Sequence, residues 1–115
     1  TAIATDVGGG TSFSMLRTLD EAYKIQQLEN YSLNPLASFF WSTMGNAECL
    51  GLQHQIGTIK TGNYADLIVL NSKSTSLMRH RMEKCKTIQE ELFVLQTLGD
   101  DRAIDSVFIA GKKIK

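Results

Sequence analysis

The stretch Thr5-Asp6-Val7-Gly8-Gly9-Gly10-Thr11-Ser12-Phe13-Ser14 constrains this chain more than any other. Three consecutive glycines lack the Cβ that would bar a tight bend, so the backbone can turn sharply and pass close to a ligand. A short apolar run, Ala2-Ile3-Ala4, precedes the turn and a helical pattern follows it. Residues 2–5 are therefore expected to form a short buried strand with Asp6 at its carboxyl end, where barrel enzymes carry catalytic groups. The chain opens on this strand with no initiator methionine, no signal peptide and no earlier element to pair with it. That is the pattern expected of the tail of a larger protein.

Length and charge narrow the possibilities. The 115 residues suffice for one modest core. Twelve basic and twelve acidic residues cancel, with 43% hydrophobic and 21% charged residues, an ordinary balance for a globular protein. No basic excess supports nucleic-acid binding, which needs clustered Lys and Arg on one face. The densest basic patch, Arg79-His80-Arg81 with Lys84 and Lys86, is interrupted by Glu83 and reads as a solvated helix or loop face. No apolar run approaches the ~18 residues of a membrane span. Cys49 and Cys85 are far apart and lack Cys-x-x-Cys spacing, which disfavours a disulfide framework and fits a reducing cytoplasm.

Local signals place the elements. Thr11 or Ser12 can cap a first helix running to about Glu29, with Leu16, Leu19, Tyr23 and Leu28 on one stripe. Asn34-Pro35 announces a second helix, a side-chain cap followed by the proline that suits the first helical position. It is expected to run through Phe39, Phe40, Trp41, Met44 and Ala47 to Leu50, with Gly51 as its stop. Being apolar over most of its circumference, it should be buried within something larger, with Trp41, its aromatic neighbours and Met44 in the core. A β segment follows: Ile56–Ile59, a turn at residues 60–63, then a strand over residues 65–71. Residues 71–82 read as polar and irregular. Thr87-Ile88-Gln89-Glu90 has capping-box spacing and opens a helix carrying Leu92, Leu95 and Leu98 up to Gly99. A last strand covers residues 106–110.

Few residues are placed for chemistry. Asp6 could ligate a metal and shuttle a proton, and it could equally be a helix-capping or turn aspartate. Gly8 to Ser12 could cradle an anion at a helix start. The run has neither phosphate-loop spacing nor the third glycine of a dinucleotide fingerprint, since Phe13 stands there, so a plain tight turn is the better reading. His54 and His80 belong to no His-x-His or His-Glu-x-x-His motif and read as surface histidines. Asp100-Asp101-Arg102 reads as a loop ion pair or helix-end turn. Catalytic zinc sites need three or more protein ligands plus a water, and no such cluster exists here.

With these residues in view, the sequence resembles the C-terminal portion of the guanine deaminase family within the amidohydrolase superfamily. Residues 5–18, Thr5-Asp6-Val7-Gly8-Gly9-Gly10-Thr11-Ser12-Phe13-Ser14-Met15-Leu16-Arg17-Thr18, look specific to guanine deaminases. Residues 56–70, from Ile56-Gly57-Thr58-Ile59 through Gly62 to Ala65-Asp66-Leu67-Ile68-Val69-Leu70, look like a signature shared across amidohydrolases. Glu90-Glu91-Leu92-Phe93, Leu98-Gly99-Asp100-Asp101-Arg102-Ala103 and Val107-Phe108-Ile109-Ala110-Gly111-Lys112 again look like the guanine deaminase tail.

The resemblance implies an α+β fragment. It would hold the last strand and helices of a (β/α)8 amidohydrolase barrel plus the C-terminal strands of its small β-sandwich. Residues 1–52 would be the end of the barrel, and residues 53–115 would contribute strands to the sandwich and a terminal helix. Asp6 matches the family's strand-eight aspartate, implied to be both the catalytic proton carrier and a metal ligand, and no residue here is implied to bind a further cofactor. The implied reaction of the whole enzyme is zinc-dependent hydrolysis of guanine to xanthine and ammonia, with the histidine ligands and catalytic glutamate upstream. The isolated chain is expected to be inactive, to lack tightly bound zinc and to form a homo-oligomer, with no nucleic-acid or membrane partner. Two alternatives remain: another amidohydrolase, an aminohydrolase or chlorohydrolase acting on a different ring, or a noncatalytic module or subunit completing a barrel in trans.

Overall fold

The computed structural model describes residues 1–115. It holds five α-helices and a small antiparallel sheet: α1 (Met15–Leu28), α2 (Pro35–Ser42), α3 (Met44–Cys49), β1 (Leu67–Leu70), α4 (Ser76–Met82), α5 (Ile88–Leu98), β2 (Ile104–Ile109) and β3 (Lys112–Lys113). The coarse α+β expectation holds. No helix is long and apolar enough to cross a membrane.

The core is centred on α5, which lies against α1, α2 and α4. Leu16, Met78, Val94, Leu95 and Ala103 form its buried centre, with Phe39, Leu70 and Leu98 packed around it. Tyr23 meets Phe93 edge to face, ring centroids 5.3 Å apart, an arrangement that the opposed charge of ring face and edge favours. Thr87 accepts a hydrogen bond from the Glu90 N–H while the Glu90 carboxylate accepts from the Thr87 N–H, so the capping box read from sequence is present. The backbone N–H groups of Lys86 and Thr87 hold the Glu90 carboxyl below the usual carboxylate range.

In the sheet β2 is central. It pairs antiparallel with β1, Ile68 opposite Val107, and with β3, Ile109 opposite Lys112. Ala110 and Gly111 between β2 and β3 both adopt positive φ, as a type I′ hairpin requires. The Asp66 carboxylate accepts from the Ala110 N–H at 2.7 Å, which ties the turn to the approach to β1.

Several expectations are corrected. Residues 2–5 form no strand, because nothing within the chain offers a ladder to them, and Ala2 and Ala4 are exposed. Helix α1 starts after Ser14 rather than after Thr11 or Ser12, and the Ser14 hydroxyl makes no capping bond. The Ser12 hydroxyl instead accepts from the Ser14 N–H. Leu28 lies off the buried stripe and is exposed.

The second helix is broken at Thr43 (φ −121°, ψ −95°), whose hydroxyl bonds back to the Phe39 carbonyl at 2.7 Å. Gly51 then stops α3 as expected, at φ +71°, with the Leu52 N–H returned to the Ala47 carbonyl. Phe39, Trp41 and Met44 are only half-buried and Phe40 is exposed, so the aromatics assigned to the core lie at its margin. Residues 56–59 are not a strand: Gly57, at φ +93°, passes so close to α3 that a Cβ would lie 2.8 Å from the Ala47 methyl. Residues 76–82 are helical rather than irregular, capped by the Thr75 hydroxyl, with Arg79, His80 and Arg81 in the last turn where the helix dipole favours cations.

Candidate functional site

Asp6 stands at φ +49°, in the left-handed region that few residues other than glycine enter and that Asp tolerates better than most. Its carbonyl accepts hydrogen bonds from the Gly9 and Gly10 N–H groups, at 2.9 and 2.6 Å. The chain thus folds back on the Asp6 backbone. A Cβ at Gly9 would come within 2.7 Å of Asp6 Oδ2, and one at Gly10 would collide with the Thr5 carbonyl. At Gly10 the clash is with backbone, so a side chain there is excluded at this geometry, whereas at Gly9 it is with the free end of the Asp6 side chain, which would have to turn aside. The Asp6 side chain is exposed and accepts no hydrogen bond from the chain. Backbone held in a sparsely populated conformation beside an unpartnered carboxylate is the kind of strain that collects at functional sites.

The segment leading to Asp6 is anchored at Ile3, whose N–H donates to Asn46 Oδ1 at 2.9 Å and whose carbonyl accepts from Asn46 Nδ2 at 2.8 Å. Sequence reasoning missed Asn46. The available signal was a polar Gly45-Asn46 pair inside an otherwise apolar helix.

The other candidates are not brought to Asp6. His54 is exposed, and His80 is exposed on α4 with its Nδ1 3.6 Å from Glu83. Asp100 accepts from the Arg102 backbone N–H and forms a two-pronged pair with the Arg102 guanidinium, at 3.0, 3.1 and 2.6 Å. That guanidinium holds the Asp100 carboxyl below the usual carboxylate range, and Arg102 is raised in turn. Asp100 to Arg102 is thus the ion-paired turn expected of it. Two residues of the basic patch, Arg81 and Lys84, line an open groove of about 730 Å³ with Leu33, Pro35 and Phe93, sharing no residue with the Asp6 turn.

No group of three His, Cys, Asp or Glu side chains is placed to hold an ion. A single carboxylate fills one position of a four-coordinate shell, so the residues present do not by themselves make a zinc site.

Residues 1–114 match the amidohydrolase family. Guanine deaminase of Escherichia coli is 40% identical over 112 residues, which cover 97% of this chain and 26% of that protein. Its solved structure superposes with a TM-score of 0.96 at 39% identity, covering 99% of this chain and 27% of that one. A guanine deaminase crystal structure from Bradyrhizobium japonicum superposes at 0.87 with 29% identity, over 99% of this chain and 30% of that one. An adenosine deaminase from Xanthomonas campestris, solved with bound zinc, superposes at 0.66 with 23% identity over 86% of this chain and 21% of that one, a likeness of fold. The chain spans about a quarter of the length of the curated relatives it matches.

Proposed function

The chain belongs to the amidohydrolase family, and from that premise we propose that it is the C-terminal part of a guanine deaminase, a zinc-dependent enzyme that hydrolyses guanine to xanthine and ammonia. Residues 1–52 are the end of the barrel, with residues 2–5 as its last strand once neighbouring strands are present. Residues 53–115 carry the C-terminal share of a β-sandwich, a reading supported by the antiparallel β1-β2-β3 sheet. The observation that carries the functional reading is Asp6: an exposed carboxylate without a partner, presented by a glycine turn in which the Gly10 backbone packs directly against the Thr5 carbonyl.

Asp6 is the one residue of this chain that would hold the metal, with the remaining ligands supplied from outside it. Zinc held by Asp6 together with ligands from elsewhere in the polypeptide would supply the acidity that makes water a usable nucleophile, with a pKa of about 7. The residues of this chain handle protons and space. Asp6 accepts a proton from the attacking water and returns it to the exocyclic nitrogen as ammonia leaves, acting as base and then acid. Gly8, Gly9 and Gly10 leave room beside that carboxylate for a flat ring. The test is turnover by the full-length protein: xanthine and ammonia should appear in equal amounts from guanine. Turnover of a different ring with none of guanine would instead assign another amidohydrolase activity.

A further inference from the structure

Residues 1–6 carry Asp6 yet belong to no helix or sheet within the chain. Within this chain their placement rests on side chains that reach their backbone, and one does. Among residues 1–5 only Ile3 has its backbone polar groups hydrogen-bonded, both to the amide of Asn46. The N–H and carbonyl of one residue diverge to the same side in extended backbone, so Asn46 makes the pair of bonds that a neighbouring strand would make.

The clamp is itself held. The Asn46 amide also reaches the Ser42 carbonyl at 3.4 Å, one turn earlier across the Thr43 break. That break turns the start of α3 toward the segment, and Gly45 lets the two backbones meet. A Cβ at Gly45 would lie 3.2 Å from the Thr1 carbonyl and 3.2 Å from the Phe40 carbonyl. Donor and acceptor must sit on one short planar group. Asp lacks the donor and Gln adds a methylene, so asparagine alone fits.

We propose that Asn46 is a positioning residue: by gripping both polar groups of Ile3 it fixes the register and direction in which the segment delivers Asp6. The grip lies three residues from Asp6, about 10 Å along an extended chain. On the far side the Gly9 and Gly10 N–H groups hold the Asp6 carbonyl. Asp6 is thereby bracketed between a long-range clamp and a local turn. This inference rests on the reading of Asp6 as the proton carrier.

The experiment uses the full-length protein with Asn46→Ala, Asn46→Asp and Asp6→Asn, each measured on guanine per bound zinc. Misplacing a reacting group by about 1 Å costs on the order of 10²-fold. Asn46→Ala should lower kcat about 10- to 100-fold with KM within about threefold. Asn46→Asp keeps the acceptor for the Ile3 N–H and should fall between Asn46→Ala and wild type. Deuterium exchange of the Ile3 amide should quicken at least about tenfold in Asn46→Ala while α5 keeps its protection. A merely structural loss would quicken exchange across the fold instead. Wild-type kcat in Asn46→Ala, beside an inactive Asp6→Asn, would overturn the positioning role alone. An active Asp6→Asn would overturn the reading beneath it. Should Asn46→Ala not fold, wild-type kcat and Ile3 protection in Asn46→Asp would overturn the proposal equally.

Discussion

Residues 67–109 and residues 1–14 are held in place by different means. The first region is locked into the packed core: β1 and β2 share a ladder, α5 carries its own capping box and packs against α1 and α2, and Met78, Val94, Leu95 and Ala103 are almost wholly removed from water. The second has one side-chain clamp, one glycine turn, and Val7 and Phe13 at 71% and 80% exposure. The candidate functional carboxylate stands on the region that the core does not fix. Stability and site are therefore separable in this molecule, and substitutions should sort accordingly.

The largest expected effect is on the core side of that division. Leu95→Ala removes a side chain 4% exposed at the centre of the helical cluster. It should cost about 2–5 kcal/mol of unfolding free energy in denaturant titration. Activity per folded molecule should be nearly unchanged. A large loss of specific activity in folded Leu95→Ala would show that core and site are coupled after all.

Gly10→Ala should do the reverse. The new methyl would collide with the Thr5 carbonyl, so the turn must open and Asp6 must move. In the full-length protein kcat should fall on the order of 10²-fold, while Tm stays within about 2 °C, since surface changes away from packed groups cost little. A Tm loss as large as that of Leu95→Ala would place the turn in the stabilising core and erase the distinction.

The smallest effect concerns pH. Arg102 holds Asp100 below its ordinary value of 3.8, so the pair's contribution is complete above that value and is lost as pH falls through the lowered one. Asp100→Asn should lower Tm at neutral pH by about 1–4 °C, as surface pairs do. The gap from wild type should close only below about pH 4. A gap independent of pH down to about pH 2 would mean the carboxylate's charge contributes nothing.

The same division explains what the sequence disclosed. The Thr87–Glu90 box, the Asn34-Pro35 start and the Gly51 stop were readable because each is settled within a few residues by orphaned backbone groups that a neighbour must satisfy. The Thr75 cap of α4 obeys the same rule, but seven residues with one buried side chain leave too little periodicity to read. The strand expected at residues 2–5 failed for the opposite reason, since a short apolar run suggests a strand and only a partner makes one. The break at Thr43, the approach of Gly57 to Ala47 and the Asn46 clamp on Ile3 join residues as far as 43 positions apart, beyond any local pattern. Asp6 itself was legible as a candidate because the glycines beside it mark a turn that needs positive φ at Gly8 and close backbone approach at Gly10.

The measurement that bears most directly on that carboxylate is kcat on guanine for Asp6→Asn in the full-length protein, with bound zinc counted for both forms. Asparagine keeps the size and the tolerance of positive φ but cannot take the water's proton. The expected result is a fall of about 10²–10⁴-fold per bound zinc, the usual worth of a general acid–base group. A kcat within about threefold of wild type, less than the tenfold that 1.36 kcal/mol of barrier represents, would contradict the assignment of Asp6 as the proton carrier.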